Sequence, residues 1–280
     1  MSFTSNGFPM MLTFDLDCET MWTARDPEAH TRPILMSQGA YGWKRGVWRV
    51  MDVLRRHEIT STFFVPGLVV EAHPEVIEAL LKDGHEIAHH SHTHRWIVTL
   101  TPEEEREEME LAQQAIIKAT GQAPRGWRSP AAEVTGVTMD LIKEYGFAYS
   151  SNFFDDDAPY LLKVRGAPID CVELPFRYIN TDSPYFQFAK ILPGRTITSP
   201  RQVLDTWSWE FDTLYAEDRM MVLACHPEFI GQPSGAILLD RFIQHIRSHD
   251  NVWIGRCDEI AADMAPGLKA DLQAGLKAKA

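Results

Sequence analysis

The chain has 280 residues, 45% of them hydrophobic and 24% charged, proportions that exclude a disordered or fibrous protein. Lysine and arginine total 27 against 39 aspartates and glutamates, and the net charge of −12 offers no basic face for nucleic acid. No apolar run approaches the 18 or so residues of a membrane span.

Apolar, β-rich runs alternate with helical patterns along the whole chain. Strands are expected at Met10–Leu16, Ile59–Val65, His85–His89, Ala148–Ser151, Cys171–Leu174, Met220–Cys225 and Val252–Gly255. Several are continuously apolar, as in strands covered on both faces of a parallel sheet. Helices are expected at Gly46–His57, Pro74–Leu81, Val134–Tyr145, Gln202–Tyr215, Leu238–Ser248 and in the tail after Pro266. The helix between Thr101 and Gly121 has a complete set of end signals: Thr101 as cap, Pro102 at the first turn, Glu104 to close a capping box and Gly121 as terminator. Two segments, at about 18–45 and 177–200, read as long irregular loops rich in proline and aromatic residues. Strand–helix alternation repeated about seven times implies an α/β fold with a parallel sheet and crossover helices, and at this length a closed or nearly closed β/α barrel in a single domain is favoured over an open doubly wound sheet. A G-x-G-x-x-G turn is absent, which argues against a dinucleotide-binding sheet.

The opening MSFTSNGFPMMLTFDLD has neither a basic region nor a long apolar run, so no export signal is expected. Cys18, Cys171, Cys225 and Cys257 form no C-x-x-C pair and read as reduced, structural thiols. The expected location is the cytoplasm.

Asp15 and Asp17 end an otherwise apolar strand, and residues two apart on a strand share a face. Two carboxylates so placed repel unless something positive lies between them, and a metal ion is the natural candidate. The run from His85 to Trp96 concentrates five of the eleven histidines, as divalent-metal proteins do. Within it His85-Glu86-Ile87-Ala88-His89 matches H-E-x-x-H, but Gly84 ends the preceding helix and the motif falls on a strand, which opposes a zinc-protease reading. His90 and His94, four apart beyond that strand, can converge on one ion. Arg128, in Trp127-Arg128-Ser129-Pro130, can clamp and hold a carboxylate. His226 follows an apolar strand, where barrel active sites form. Trp22, Tyr41, Trp43 and Trp96 are candidate pocket walls, although core packing explains each as well, and Glu19 is a candidate substrate contact.

Asp15-Leu16-Asp17, His90-Ser91-His92-Thr93-His94, Arg128-Ser129-Pro130 and Leu223-Ala224-Cys225-His226 resemble, in order, the motifs of the polysaccharide deacetylase superfamily (carbohydrate esterase family 4). The resemblance runs from about Met11 to His226. It implies a distorted (β/α) barrel with seven or eight parallel strands and a metal-dependent hydrolase of amide-type C–N bonds. By motif position it makes Asp17, His90 and His94 the ligands of one divalent ion, with zinc expected first and cobalt, nickel or manganese as alternatives. It also makes Asp15 the base, Arg128 its orienting partner and His226 the acid. Leu16 separates aspartates that are commonly adjacent, which leaves the roles of Asp15 and Asp17 exchangeable. Ser129 and Ala131 replace the usual proline and tyrosine, Glu173-Leu174-Pro175 stands where a fourth motif belongs, and Pro227 follows His226 in place of an acid. This pattern is most similar to the branch of cytosolic allantoinases, cyclic imide hydrolases and atypical peptidoglycan deacetylases, which is often tetrameric. A small cyclic amide or imide substrate and a homo-oligomer are therefore expected. An N-acetyl-sugar or peptidoglycan deacetylase is the alternative, and a non-catalytic metal-binding barrel a third.

Overall fold

A computed structural model describes residues 4–277. Its strands are β1 (Phe8–Asp15), β2 (Thr62–Val65), β3 (Glu86–His89), β4 (Gly126–Trp127), β5 (Tyr149–Ser150), β6 (Tyr160–Val164), β7 (Ala167–Glu173), β8 (Met221–Cys225) and β9 (Val252–Ile254). They form one curled sheet in the order β6-β7-β5-β4-β3-β2-β1-β8, with β9 on β1. Every pairing is parallel except β6 with β7. Met10 pairs with both Met221 and Ile254, and Thr13 with both Thr62 and Ala224, so β9 lies under β2 on the same side of β1. The fold is a distorted (β/α) barrel, open between the edge strands β6 and β8, and the chain beyond β7 adds a bridge from Thr181 to Ala224 beside β8.

The sequence dictates much of this directly. All eight residues of β1 are buried: Met10, Leu12 and Phe14 join a core shared with the surrounding helices, and Met11 joins one shared with Phe64, Ala88, Tyr149 and Val172 of other strands. Val47, Val50, Met51 and Leu54 form one apolar stripe of the helix Val47–Arg56 and pack into the main core with Phe14, Phe63 and Phe242. The helix Pro102–Thr120 carries the expected capping box, and Gly121 closes it at φ 76°. Gly126 in β4 is compelled by space, since a Cβ there would lie 1.9 Å from Tyr149 Cζ.

Three expectations are corrected. The segment at 18–45 is mostly helical, with helices Thr20–Thr23 and Pro33–Tyr41 and a 3₁₀ turn Pro27–Thr31. Only Leu35 and Gly39 of Pro33–Tyr41 are buried, so no stripe marks it in sequence. The last helix, Cys257–Lys277, starts well before Pro266 and runs through it. Strands β4 and β6 were not expected, because two residues or a half-exposed hairpin arm leave too little periodicity to read. No helix among the described residues is long and apolar enough to cross a membrane.

Candidate metal centre and catalytic cavity

The chain beyond β1, β3, β4 and β8 brings Asp15, Asp17, His90, His94, Arg128 and His226 to one end of the barrel. All six line a cavity of about 1090 Å³. Leu16, between the aspartates, points into the core, so alternation turns both carboxylates towards the cavity.

Asp17 Oδ1 lies 3.3 Å from His90 Nε2, and Oδ2 lies 3.2 Å from His94 Nε2. His90 Nδ1 is 2.8 Å from the Arg128 carbonyl oxygen. A carbonyl only accepts, so Nδ1 carries a proton and Nε2 is the ring atom turned towards Asp17. Asp17 Oδ1 is buried and has no hydrogen-bond partner. Electron-pair donors of carboxylate and imidazole type therefore face one another across a space that a divalent cation fits. Burial alone would raise the Asp17 pKa, but the rings of His94, His90 and His226 outweigh it and hold the carboxyl well below its ordinary range. Of the two aspartates, Asp17 is the one that faces both histidines.

The loop that carries the histidines is held from behind. Ser91 and His94 take left-handed φ values of 62°, uncommon for such residues. Glu108, on the helix Pro102–Thr120, accepts from Ser91 Oγ at 2.8 Å, His92 N at 3.0 Å and Thr93 N at 2.7 Å, and from the Thr93 hydroxyl. Burial would raise the Glu108 pKa, yet these donors bring it below the usual value. Nothing in the local sequence distinguishes Glu108 from its acidic neighbours on the same helix.

Asp15 Oδ1 accepts from Arg128 Nη1 at 2.7 Å. The guanidinium also donates to Thr13 Oγ1 at 2.8 Å, Ser151 Oγ at 2.9 Å and Ser151 O at 3.3 Å. It lies over the rings of Phe64 and Phe176, 4.1 and 4.8 Å from their centroids. With four of its five N–H donors engaged and aromatic rings beside it, Arg128 is held in place, and it positions Asp15 in turn.

His226 Nε2 is 3.7 Å from Asp17 Oδ2. Its Nδ1 lies 2.7 Å from Asp182 Oδ1, and its backbone N donates to Asp182 Oδ2 at 2.8 Å. Burial disfavours the imidazolium, but Asp182, Asp17 and Asp15 outweigh it and push the His226 pKa up to about 10. Asp182 escaped the sequence reading because its partner is 44 residues away and no local spacing links them.

The candidate substrate contacts divide. Trp96 lines the cavity half-exposed, with the Arg25 guanidinium 5.8 Å from its ring centroid. Trp22 does not line it: the indole is fully buried in an apolar cluster with Met21, Ala29, Leu35 and Phe229. Glu19 turns away as well and accepts from Trp43 Nε1 at 3.0 Å. Trp43 stacks on His73, and Tyr41 binds Arg49, so neither reaches the cavity. Glu173 sits behind the site, where it accepts from Asn152 N at 2.6 Å and Phe153 N at 2.9 Å. The remaining walls include Met21, Phe176, Tyr178, Ile191, Leu192 and Arg195, none of which the sequence marked.

A family model described as polysaccharide deacetylase matches residues 39–150. A peptidoglycan deacetylase of Helicobacter pylori is 26% identical over 253 residues, covering 81% of this chain and 86% of its own length. The crystal structure of a candidate polysaccharide deacetylase from Mycobacterium smegmatis is 32% identical and superposes with a TM-score of 0.88, over 94% of this chain and 91% of that one. The crystal structure of an allantoinase, 24% identical, superposes with a TM-score of 0.79 over 92% of this chain and 91% of that one, a likeness of fold.

Proposed function

The chain belongs to the polysaccharide deacetylase family, hydrolases of amide C–N bonds, and we propose that it is a metal-dependent member acting on small amides, a cyclic amide or imide first among them. The observation that carries this reading is the convergence of Asp17, His90 and His94 with the Arg128-held Asp15 and the Asp182-held His226 on one cavity. Its volume, near 1090 Å³, and walls drawn from the segments at 15–26, 90–98, 128–133, 176–195 and 224–226 suit a small molecule held on several sides.

Asp17, His90 and His94 would hold one divalent ion, zinc first, with cobalt, nickel and manganese accepted by the same donors. Bound there, the ion would polarise the substrate carbonyl and acidify water. Asp15, aimed by Arg128, takes a proton from the attacking water. His226, kept protonated by its three carboxylates, delivers a proton to the departing nitrogen. Water is thereby divided between the two halves of the broken bond: OH to carbon, H to nitrogen. With a cyclic substrate the two halves remain one molecule, and no acetate is released.

A second reading, deacetylation of an N-acetylated sugar, is favoured by the Helicobacter pylori relative, which aligns over most of its length. Purified protein supplied with Zn²⁺ or Co²⁺ and assayed on hydantoin, succinimide, allantoin and N-acetylglucosamine oligomers separates the readings. Ring opening without acetate is the expected result. Acetate release without ring opening establishes the second reading, and bound metal without any hydrolysis leaves a non-catalytic barrel.

A further inference from the structure

A second group of metal-type donors lies far from the cavity. Asp212, on the helix Pro200–Ala216, meets His245, at the end of the helix Pro233–Ile246, and His249 in the turn that follows. One carboxylate oxygen and two imidazole nitrogens there lie within 4.8 Å of one another. Asp212 Oδ1 is 2.6 Å from His245 Nε2 and 3.3 Å from His249 Nε2. The four-residue spacing puts both rings on one side, edge to face with centroids 5.2 Å apart.

The hydrogen bonding of His249 is the informative part. Its Nδ1 lies 3.1 Å from the His245 carbonyl oxygen, which can only accept, so Nδ1 carries the proton. With Nδ1 so engaged, Nε2 is the ring atom left to face a carboxylate oxygen at 3.3 Å, where a cation shared by the two would sit. His90 and Asp17 show the same pattern: a backbone carbonyl takes Nδ1–H, and Nε2 faces a carboxylate oxygen at 3.3 Å. Metal-bound histidines typically use their second nitrogen in this way.

The surroundings hold the donors in place and leave a route for an ion. His249 packs against Phe211 and Tyr215, with centroids 5.1 and 4.9 Å away, so its orientation is set in advance. All three donor side chains remain partly exposed, so water can complete a coordination sphere. Phe211 and Tyr215 pack on Phe8, the first residue of β1, whereas Asp15 is its last. Seven strand steps of about 3.3 Å separate Phe8 from Asp15 by roughly 23 Å, so this group lies towards the opposite end of β1 from the catalytic cavity.

We propose that Asp212, His245 and His249 form a second divalent-metal site, independent of the catalytic one, that ties two helices together at the base of the barrel. Two imidazoles and one carboxylate select zinc, nickel, cobalt or copper over magnesium and calcium.

The test is a calorimetric titration of chelator-stripped protein with Ni²⁺. Two equivalents are expected for the unmodified chain. His249→Ala and Asp212→Asn should each leave one, the equivalent that Asp17→Ala removes. His249→Gln, closer in volume, repeats the comparison if the alanine variant misfolds. A single equivalent that Asp17→Ala abolishes would mean that a proton, not a metal, joins His249 to Asp212, and the proposal falls. It also falls if two equivalents persist in the His245→Ala/His249→Ala protein. If instead the equivalent lost in Asp17→Ala is missing from the unmodified chain while that of His249 remains, the catalytic reading fails and this one stands.

Discussion

Asp182 holds His226 with both oxygens, one on the ring Nδ1 at 2.7 Å and the other on the residue's own backbone N at 2.8 Å. The carboxylate therefore sets the position of the ring and, with Asp17 and Asp15, its charge. A histidine whose folded pKa is raised adds stability that is complete below its unfolded value near 6.5 and lost as pH climbs through about 10. Asp182→Asn weakens the hold on the imidazolium. The alkaline limb of kcat/KM, where His226 surrenders its proton, should move down by about one pH unit or more. An unmoved limb in the variant would separate His226 from the acid role.

Removing Asp17 or His94 takes a donor from the candidate metal centre, so Asp17→Ala and His94→Ala should retain no metal after gel filtration and show no turnover. Asp15 lies outside that set and against Arg128. Asp15→Asn is expected to keep the metal and lose about 10²- to 10⁴-fold in kcat, the usual range for a general base. Metal analysis alongside the rate distinguishes the roles that Leu16 leaves exchangeable in the sequence.

Glu108 does not line the cavity, and its expected part is to position the loop that carries the histidines. Its four hydrogen bonds restrain the left-handed turns at Ser91 and His94. Glu108→Ala should weaken metal affinity by about 10- to 100-fold, the range found for groups that orient ligands. At saturating metal most of kcat should return, which a residue needed in the chemical step would not allow. Competition with a fluorescent chelator measures the affinity.

Arg25 and Arg195 both line the cavity, and neither forms an ion pair with a carboxylate among the described residues. Arg25 Nε is buried without a hydrogen-bond partner, and burial, followed by the neighbouring Arg195, lowers the Arg25 pKa against the pull of Asp17. A carboxylate on the substrate would supply a partner for it. Amides with such a group should show the higher kcat/KM, and Arg25→Gln should raise their KM about tenfold or more while leaving neutral amides unchanged. Equal losses on charged and neutral substrates would place Arg25 in general packing.

What could be read from the sequence follows the range of the forces involved. The alternation Asp15-Leu16-Asp17, the capping box at Thr101 and the four-residue step from His90 to His94 are local, and the fold keeps each of them. Asp182 and Glu108 act on residues 44 and 15–17 positions away through contacts that only the folded barrel creates. The helix Pro33–Tyr41 was unreadable for another reason. It docks through Gly39, where a Cβ would lie 2.6 Å from the Cys18 carbonyl oxygen, and through Leu35, so close backbone approach replaces an apolar stripe. Trp22 and Glu19 were misplaced because residue type alone does not say which way a side chain turns.

Glu86 offers a test of the core that is independent of the catalytic cavity. It is buried on β3, where Oε2 accepts from Thr62 Oγ1 at 2.6 Å and Tyr149 OH lies 2.9 Å from Oε1. Burial, then Asp258, pushes its pKa from 4.5 up to about 8. Between those values the folded chain holds a proton that the unfolded chain has released, so stability falls as pH rises through this window. The slope from this one group is at most about 1.4 kcal/mol per pH unit. Glu86→Gln keeps the shape and stays neutral. Its Tm should match the unmodified protein near pH 5 and exceed it near pH 8.5, and parallel Tm curves across that range would show that Glu86 is already ionised in the folded chain.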